Sequence, residues 1–290
     1  MSKRVSFSQF SVYLQCPHKW KLDYIENRRT YQPSIHTVFG TAFHNTIQKY
    51  LEIAYAESVK QADCLDLRGM LKEEMTTEYK KGVAQLGSHF SSAKELEDFY
   101  LDGLAIIETF RKNRATYFPS KKHKLIGIEL PLNQEIRPGI RFIAYLDIVI
   151  KDERTGKYKI VDFKTSTVGW KDEKKDIGKT SQLILYKKYY SDILGVPPDM
   201  IEVEFLVVRR KILEDTTYPM KRLQLFVPSQ GSVTIKKVQK LFDGFLNTAF
   251  TEDGEYNESA AYPAKENKLC KYCAYNSNGL CPVGKRVLNG

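Results

Sequence analysis

Asp147, Asp162 and Lys164 are the residues whose types and spacing could do chemistry. Asp147 lies in IRFIAYLDIVIK (140–151), among Ile143, Leu146, Ile148 and Val149, and Asp162 lies in IVDFK (160–164). A carboxylate in a core strand is costly unless it is paired, hydrogen-bonded or bound to a cation. Two of them on adjacent strands could share one divalent ion, and oxygen ligands of this kind suit Mg²⁺ or Mn²⁺. Lys164 is two residues beyond Asp162, so in a strand the two share a face. Its ammonium could orient or help deprotonate an attacking water, or stabilise charge developing on a phosphate. Such a site hydrolyses without a nucleophilic side chain. A D-x-K triplet alone is a weak signal, because an aspartate at a strand end commonly caps a turn. The preceding aspartate, at hairpin distance, strengthens it.

Outlying residues extend this set. His44 shares a spacing of three, four and four with Ile47, Leu51 and Tyr55, which predicts an inward-facing imidazole on a helix. It closes the pattern Gly40-x-x-x-His44, and could supply a nitrogen ligand or simply sit in the core. Gln182 and Tyr186, four apart, share one helical face and read as a polar pair facing a nucleic-acid backbone, or as an ordinary core-edge pair. Of the five cysteines, Cys270, Cys273 and Cys281 cluster near the C-terminus, Cys16 lies near the N-terminus, and Cys64 stands apart as an expected buried apolar residue. The odd count argues against a disulfide framework.

The elements that must position these residues fall into two kinds. The first 120 residues read as helical: Ser6 to Ile25 with Ser8 as cap, Thr41 to about Lys60 after Gly40, then 66–85 and 92–117. Strands follow at Lys124–Leu132, Ile140–Lys151 and Tyr158–Lys164, the last two joined by the turn Glu153–Lys157. After a charged loop, Trp170–Gly178, come a helix at about Lys179–Leu194, strands Glu202–Arg209 and Arg222–Val227, and a helix Ser232–Phe250. The last forty residues are turn-rich. The order predicts an α/β (α+β) core with a helical N-terminal region and a Cys-rich tail. It reads as a single domain over 1–290: a mainly helical part (1–120), a catalytic core (121–250) and a tail (251–290).

Composition narrows the partners. The net charge is +10. Residues 1–50 carry +5, 51–120 carry −3 and the remainder +8, so basic charge flanks an acidic middle. Such an excess favours a polyanionic partner such as nucleic acid. No apolar run is long enough for a transmembrane helix, and the opening MSKRVSFSQF lacks the apolar stretch of a secretory signal, so a cytoplasmic, reducing compartment is expected. No GxxxxGK[ST] loop is present, which argues against an intrinsic ATPase motor.

The ordered set Gly40-x-x-x-His44, Asp147, Asp162-Phe163-Lys164, Gln182-x-x-x-Tyr186 resembles the RecB-type branch of the PD-(D/E)XK nuclease superfamily. The resemblance implies a restriction-endonuclease-like mixed sheet flanked by helices. It also implies metal ligation by His44, Asp147, Asp162 and the Phe163 carbonyl, with Lys164 catalytic and Gln182 and Tyr186 supporting the site and the DNA. Glu129 falls where some relatives carry a further acidic residue. Ala144 stands where the family usually has glycine three residues before the first aspartate. The segment from Ser8 through Cys16-Pro17 to Trp20 resembles the opening of AddB-type and CRISPR-associated members, which bind a four-iron (4Fe-4S) cluster through one N-terminal and three C-terminal cysteines. Here Cys16, Cys270, Cys273 and Cys281 would be those four. Seven residues separate the last two, against the usual five. Zinc is the competing occupant, since four thiolates also suit tetrahedral Zn²⁺. The expected activity is a Mg²⁺- or Mn²⁺-dependent exonuclease acting on DNA ends or single strands in recombination, repair or DNA processing. The alternatives are an endonuclease on the same fold, or a DNA-binding scaffold without catalysis.

Overall fold

The computed structural model describes residues 2–29, 32–170, 176–213, 220–276 and 278–283. A short strand β1 (Lys3–Val5) opens the chain, followed by α1 (Phe7–Gln15) and α2 (Pro17–Trp20), which runs on as a π-turn through Ile25. The single expected helix over Ser6–Ile25 is therefore broken. Its cap is Ser6 rather than Ser8, with the Ser6 hydroxyl accepting the Gln9 N–H. The break falls at Cys16, whose backbone is extended (φ −160°, ψ 105°), because a residue before proline is disfavoured in the helical region. β1 carries no pattern of its own and was not expected; it exists because it pairs with a distant strand.

The second helix, α3 (Ile35–Ala56), starts six residues before the expected Thr41 and ends at Ala56 rather than Lys60. Ser34 and Thr37 form a reciprocal capping box that sets its start. Gly40 is thus inside the helix, and the space its missing Cβ would fill is 3.4 Å from the Thr165 hydroxyl, a close helix–strand approach. Then come α4 (Val59–Asp63), α5 (Leu67–Leu86) and α6 (Ala93–Tyr117). Cys64 ends α4 at the surface and is exposed, contrary to the expected burial; it lies in a short connection between helices rather than on an inward face.

The strands are β2 (His123–Arg137), β3 (Ile140–Asp152), β4 (Tyr158–Ser166), β5 (Ile201–Arg209) and β6 (Leu223–Phe226), with α7 (Ile177–Leu194) between β4 and β5 and α8 (Ser232–Ala249) after β6. Of the expected charged loop at 170–178, residues 171–175 lie outside the described residues. The result is one mixed six-stranded sheet. β2 runs antiparallel along one edge of β3. The other edge of β3 is shared: Ile140–Phe142 pair with β1 in parallel, and Ile148–Lys151 pair with β4 antiparallel. β4 pairs with β5 in parallel and β5 with β6 antiparallel.

Two apolar layers cover the sheet. One, including Phe142, Leu146, Ile160, Phe205 and Phe242, packs against α1, α7 and α8; the other, including Phe39, Phe43, Ile148, Val161 and Phe163, packs against α3 and α6. Among the described residues, no helix is long and apolar enough to cross a membrane.

Candidate active site

The site forms where two ladders fail. The β3–β4 register runs from Lys151↔Tyr158 to Ile148↔Val161, so the next rung would set Asp147 opposite Asp162. It is not made. Instead the Asp147 Oδ2 accepts the Phe163 N–H at 2.8 Å, so a side chain replaces the backbone partner and wedges the strands apart. On the other edge, β2–β3 pairing holds at Leu130↔Leu146 and Ile128↔Ile148 but skips Glu129, whose φ is +46°. A positive φ at a non-glycine residue costs on the order of 1–3 kcal/mol and persists where the surroundings over-determine it. The same break is visible in the core, where Leu146 and Val149 face the α7 layer but Ile148 faces the α3 layer.

Around that break stand His44, Glu129 and Asp147, with one ligand atom from each lying within 4.8 Å of the others. His44 projects from α3, its Nδ1 3.6 Å from Asp147 Oδ2 and its ring edge-on to Phe163. Burial holds the imidazole below its ordinary pKa, against the pull of the Asp162 carboxylate, which favours the neutral, metal-binding form. Glu129 is steadied by Gln48, whose Nε2 donates to Oε1 at 2.6 Å. The Phe163 carbonyl shares the edge of its N–H, since both groups of a strand residue point the same way, so it too faces the gap.

Asp162 is 1% exposed. Its Oδ1 accepts a hydrogen bond from Gln182 Nε2 at 3.0 Å, and the same amide donates to the Tyr186 hydroxyl at 2.9 Å. The Gln182–Tyr186 pair thus turns inward onto a carboxylate of the site; Tyr186 is buried, and burial raises its pKa. Asp162 Oδ2 lies 2.5 Å from Lys164 Nζ, so the lysine pairs with the carboxylate two residues before it. Burial pushes both Asp147 and Asp162 up to about 6, against the nearby Lys164. Two carboxylates raised by desolvation and an imidazole held neutral by burial are what a divalent cation would satisfy. Asp162 stands outside the tight His44–Glu129–Asp147 group.

The sequence matches the pattern of the PD-(D/E)XK nuclease superfamily over residues 4–282. The chain belongs to that superfamily. This nuclease is accordingly a metal-dependent hydrolase with DNA as the substrate class, and its mixed sheet flanked by helices is the restriction-endonuclease-like fold. No protein of curated function matches it. Among solved structures, a candidate exonuclease from Eubacterium rectale is similar to the nuclease over 93% of this chain and 92% of its own, with 12% identity and a TM-score of 0.48. The residue that sequence reasoning missed is Gln48. Its signal was present, since it lies four residues after His44 on the same helical face.

A second cluster joins the ends of the chain. Cys16, Cys270, Cys273 and Cys281 all line one cavity of about 230 Å³ with Gln15, His18 and Tyr275. The tail is fastened there by His18 Nε2 to the Leu280 carbonyl (2.9 Å) and Lys265 N–H to Cys16 Sγ (3.5 Å). The buried Tyr275 hydroxyl also donates to Asp23 Oδ1 (2.6 Å). Beside it, Trp20 is buried and stacks on Tyr262 at 5.5 Å. Among the described residues, no three of the thiol sulfurs lie within 4.8 Å of one another.

Proposed function

We propose that this nuclease is a RecB-like, Mg²⁺- or Mn²⁺-dependent exonuclease that hydrolyses DNA at ends or in single strands during recombination, repair or DNA processing. The observation that carries the reading is the convergence of His44, Glu129 and Asp147 within 4.8 Å, with the Asp162–Lys164 pair across the opened strands. His44, Asp147, Asp162 and the Phe163 carbonyl would hold the cation, with Glu129 added to the set. When bound, the ion lowers the pKa of water and polarises the phosphodiester. The Phe163 N–H orients Asp147, and Gln182, backed by Tyr186, orients Asp162. Lys164, with one third of its side chain exposed, holds a proton at Nζ beside the reacting phosphate. There it aligns the attacking water or neutralises charge on the scissile group.

The four-cysteine cavity is read as a 4Fe-4S site that clasps the chain ends. Tetrahedral zinc, with bonds of about 2.3 Å, would draw its thiolates to about 3.8 Å from one another. A four-iron cluster holds each thiolate on a separate iron, and the resemblance of the Cys16 segment and the C-terminal cysteines to cluster-binding members supports it over zinc. Metal analysis of the purified protein decides this: stoichiometric iron and a brown colour are expected, and a colourless protein with stoichiometric zinc overturns it.

The activity is tested on end-labelled linear and closed circular DNA, with and without Mn²⁺. Metal-dependent degradation confined to linear DNA is expected. Cutting of closed circles would establish the endonuclease alternative, and binding without cleavage the scaffold. Lys164→Ala should lower the cleavage rate by about 10²–10⁴-fold, the range of a positioned proton-transfer group, with Mn²⁺ affinity retained.

A further inference from the structure

Beyond the metal cluster, the sheet leaves one face open. On β3, Ile140, Phe142, Ala144 and Leu146 point into the core, so Arg141, Ile143 and Tyr145 lie on the opposite face. On β2 the exposed residues Glu129, Pro131, Asn133 and Glu135 alternate with inward neighbours, and Pro131↔Tyr145 and Asn133↔Ile143 are direct cross-strand partners. Along this stretch Pro131, Asn133, Glu135 and Tyr145 are exposed. Tyr145 is 58% exposed, while most tyrosines of the core are buried. It precedes Asp147 by two residues, about 6.8 Å along a strand. Two rungs outward, the Arg141 guanidinium is held against the sheet by Asn133 Oδ1 (2.7 Å), with Glu135 at 3.7 Å.

We infer that this face is a single-stranded DNA platform, on which Tyr145 stacks against the base next to the scissile phosphate and Arg141 meets the backbone beyond it. The inference rests on the nuclease reading of the adjoining cluster and names how its substrate is seated. The face is continuous with that cluster through Glu129 and Asp147. It offers an exposed aromatic ring followed by a cation along one line, the pairing by which proteins bind single strands without reading sequence. A duplex end would have to fray before its terminal base could reach the ring.

The test measures binding of a fluorescein-labelled single-stranded oligonucleotide in Ca²⁺, under which wild-type cleavage is first shown to be absent, alongside KM and kcat in Mn²⁺. Tyr145→Ala should weaken binding and raise KM by about tenfold, the order of one stacked base, with kcat and Mn²⁺ affinity unchanged. Tyr145→Trp should restore binding. A series of oligonucleotides, each with one abasic position, separates stacking from structure. One position should cost wild type about the same factor and cost Tyr145→Ala nothing further. Wild-type binding by Tyr145→Ala overturns the inference, as does an equal loss in Tyr145→Trp, a loss of Mn²⁺ affinity, or additivity with every abasic position. If wild type shows the abasic coupling but cleaves no DNA, the nuclease reading fails and the platform stands.

Discussion

Asp147 carries a buried charge that protonation or a bound cation would relieve. Its carboxyl is raised to about 6 by burial, as is that of Asp162, with which it interacts. Between the ordinary aspartate range and about pH 6, the folded protein therefore binds more protons than the unfolded chain. Metal-free stability should fall as pH rises through that window. Saturating Mn²⁺ should reverse the trend, because the ion requires the ionised carboxylates. Thermal melts between about pH 4 and pH 7, with and without Mn²⁺, read both slopes. Asp147→Asn keeps an oxygen for the Phe163 N–H but removes the buried charge. It should raise the metal-free melting temperature at neutral pH, flatten its pH slope and abolish Mn²⁺ binding; a lowered metal-free melting temperature would contradict the assigned role. Cleavage by wild type should decline below about pH 6.

At the scale of elements, the site is a defect placed in two strand pairings. β2 and β3 pair on both sides of Glu129, yet that residue is held at φ +46°. Glycine occupies this region freely, whereas alanine bears the same strain as glutamate. Glu129→Gly should therefore make the metal-free protein more stable than Glu129→Ala by about 1 kcal/mol, while both lose Mn²⁺ affinity. Denaturant unfolding and metal titration of the two variants check this; equal stabilities would mean that the backbone there is unstrained. Gln48, reaching Glu129 from α3 at 2.6 Å, belongs to the same device. Removal of such a supporting hydrogen bond typically costs about 10–100-fold in metal affinity, the loss expected for Gln48→Ala.

For the whole molecule, the question is what ties residue 16 to residues 270–281. Protein contacts already bring the ends together through Trp20–Tyr262 and Tyr275–Asp23. A cluster on Cys16, Cys270, Cys273 and Cys281 would add a covalent clasp across more than 250 residues. Cross-links closing long loops contribute on the order of a few kcal/mol. Cys16→Ser should therefore lose iron and melt at a lower temperature. Cys64→Ser, at an exposed position, should match wild type in both. An unchanged melting temperature in Cys16→Ser would show that the aromatic contacts alone close the chain.

The sequence by itself determined the α/β class and most element boundaries, because the 3.6- and 2-residue apolar periods are written locally. It also singled out Asp147, Asp162, Lys164 and His44, since charged or metal-binding groups on otherwise apolar faces are conspicuous. The long helices at 67–86 and 93–117 and the hairpin through residues 153–157 were legible on the same grounds. The tertiary structure decided what depends on partners remote in the chain. β1 is a strand only because β3 offers it a free edge. Gln182 and Tyr186 turn inward because Asp162 is there to accept the hydrogen bond. Glu129 joins His44 and Asp147, and Tyr145 is left exposed two residues before Asp147, because two ladders open at one place. Register between strands is a global property, set by the packing of both sheet faces at once, and no local spacing encodes where it breaks.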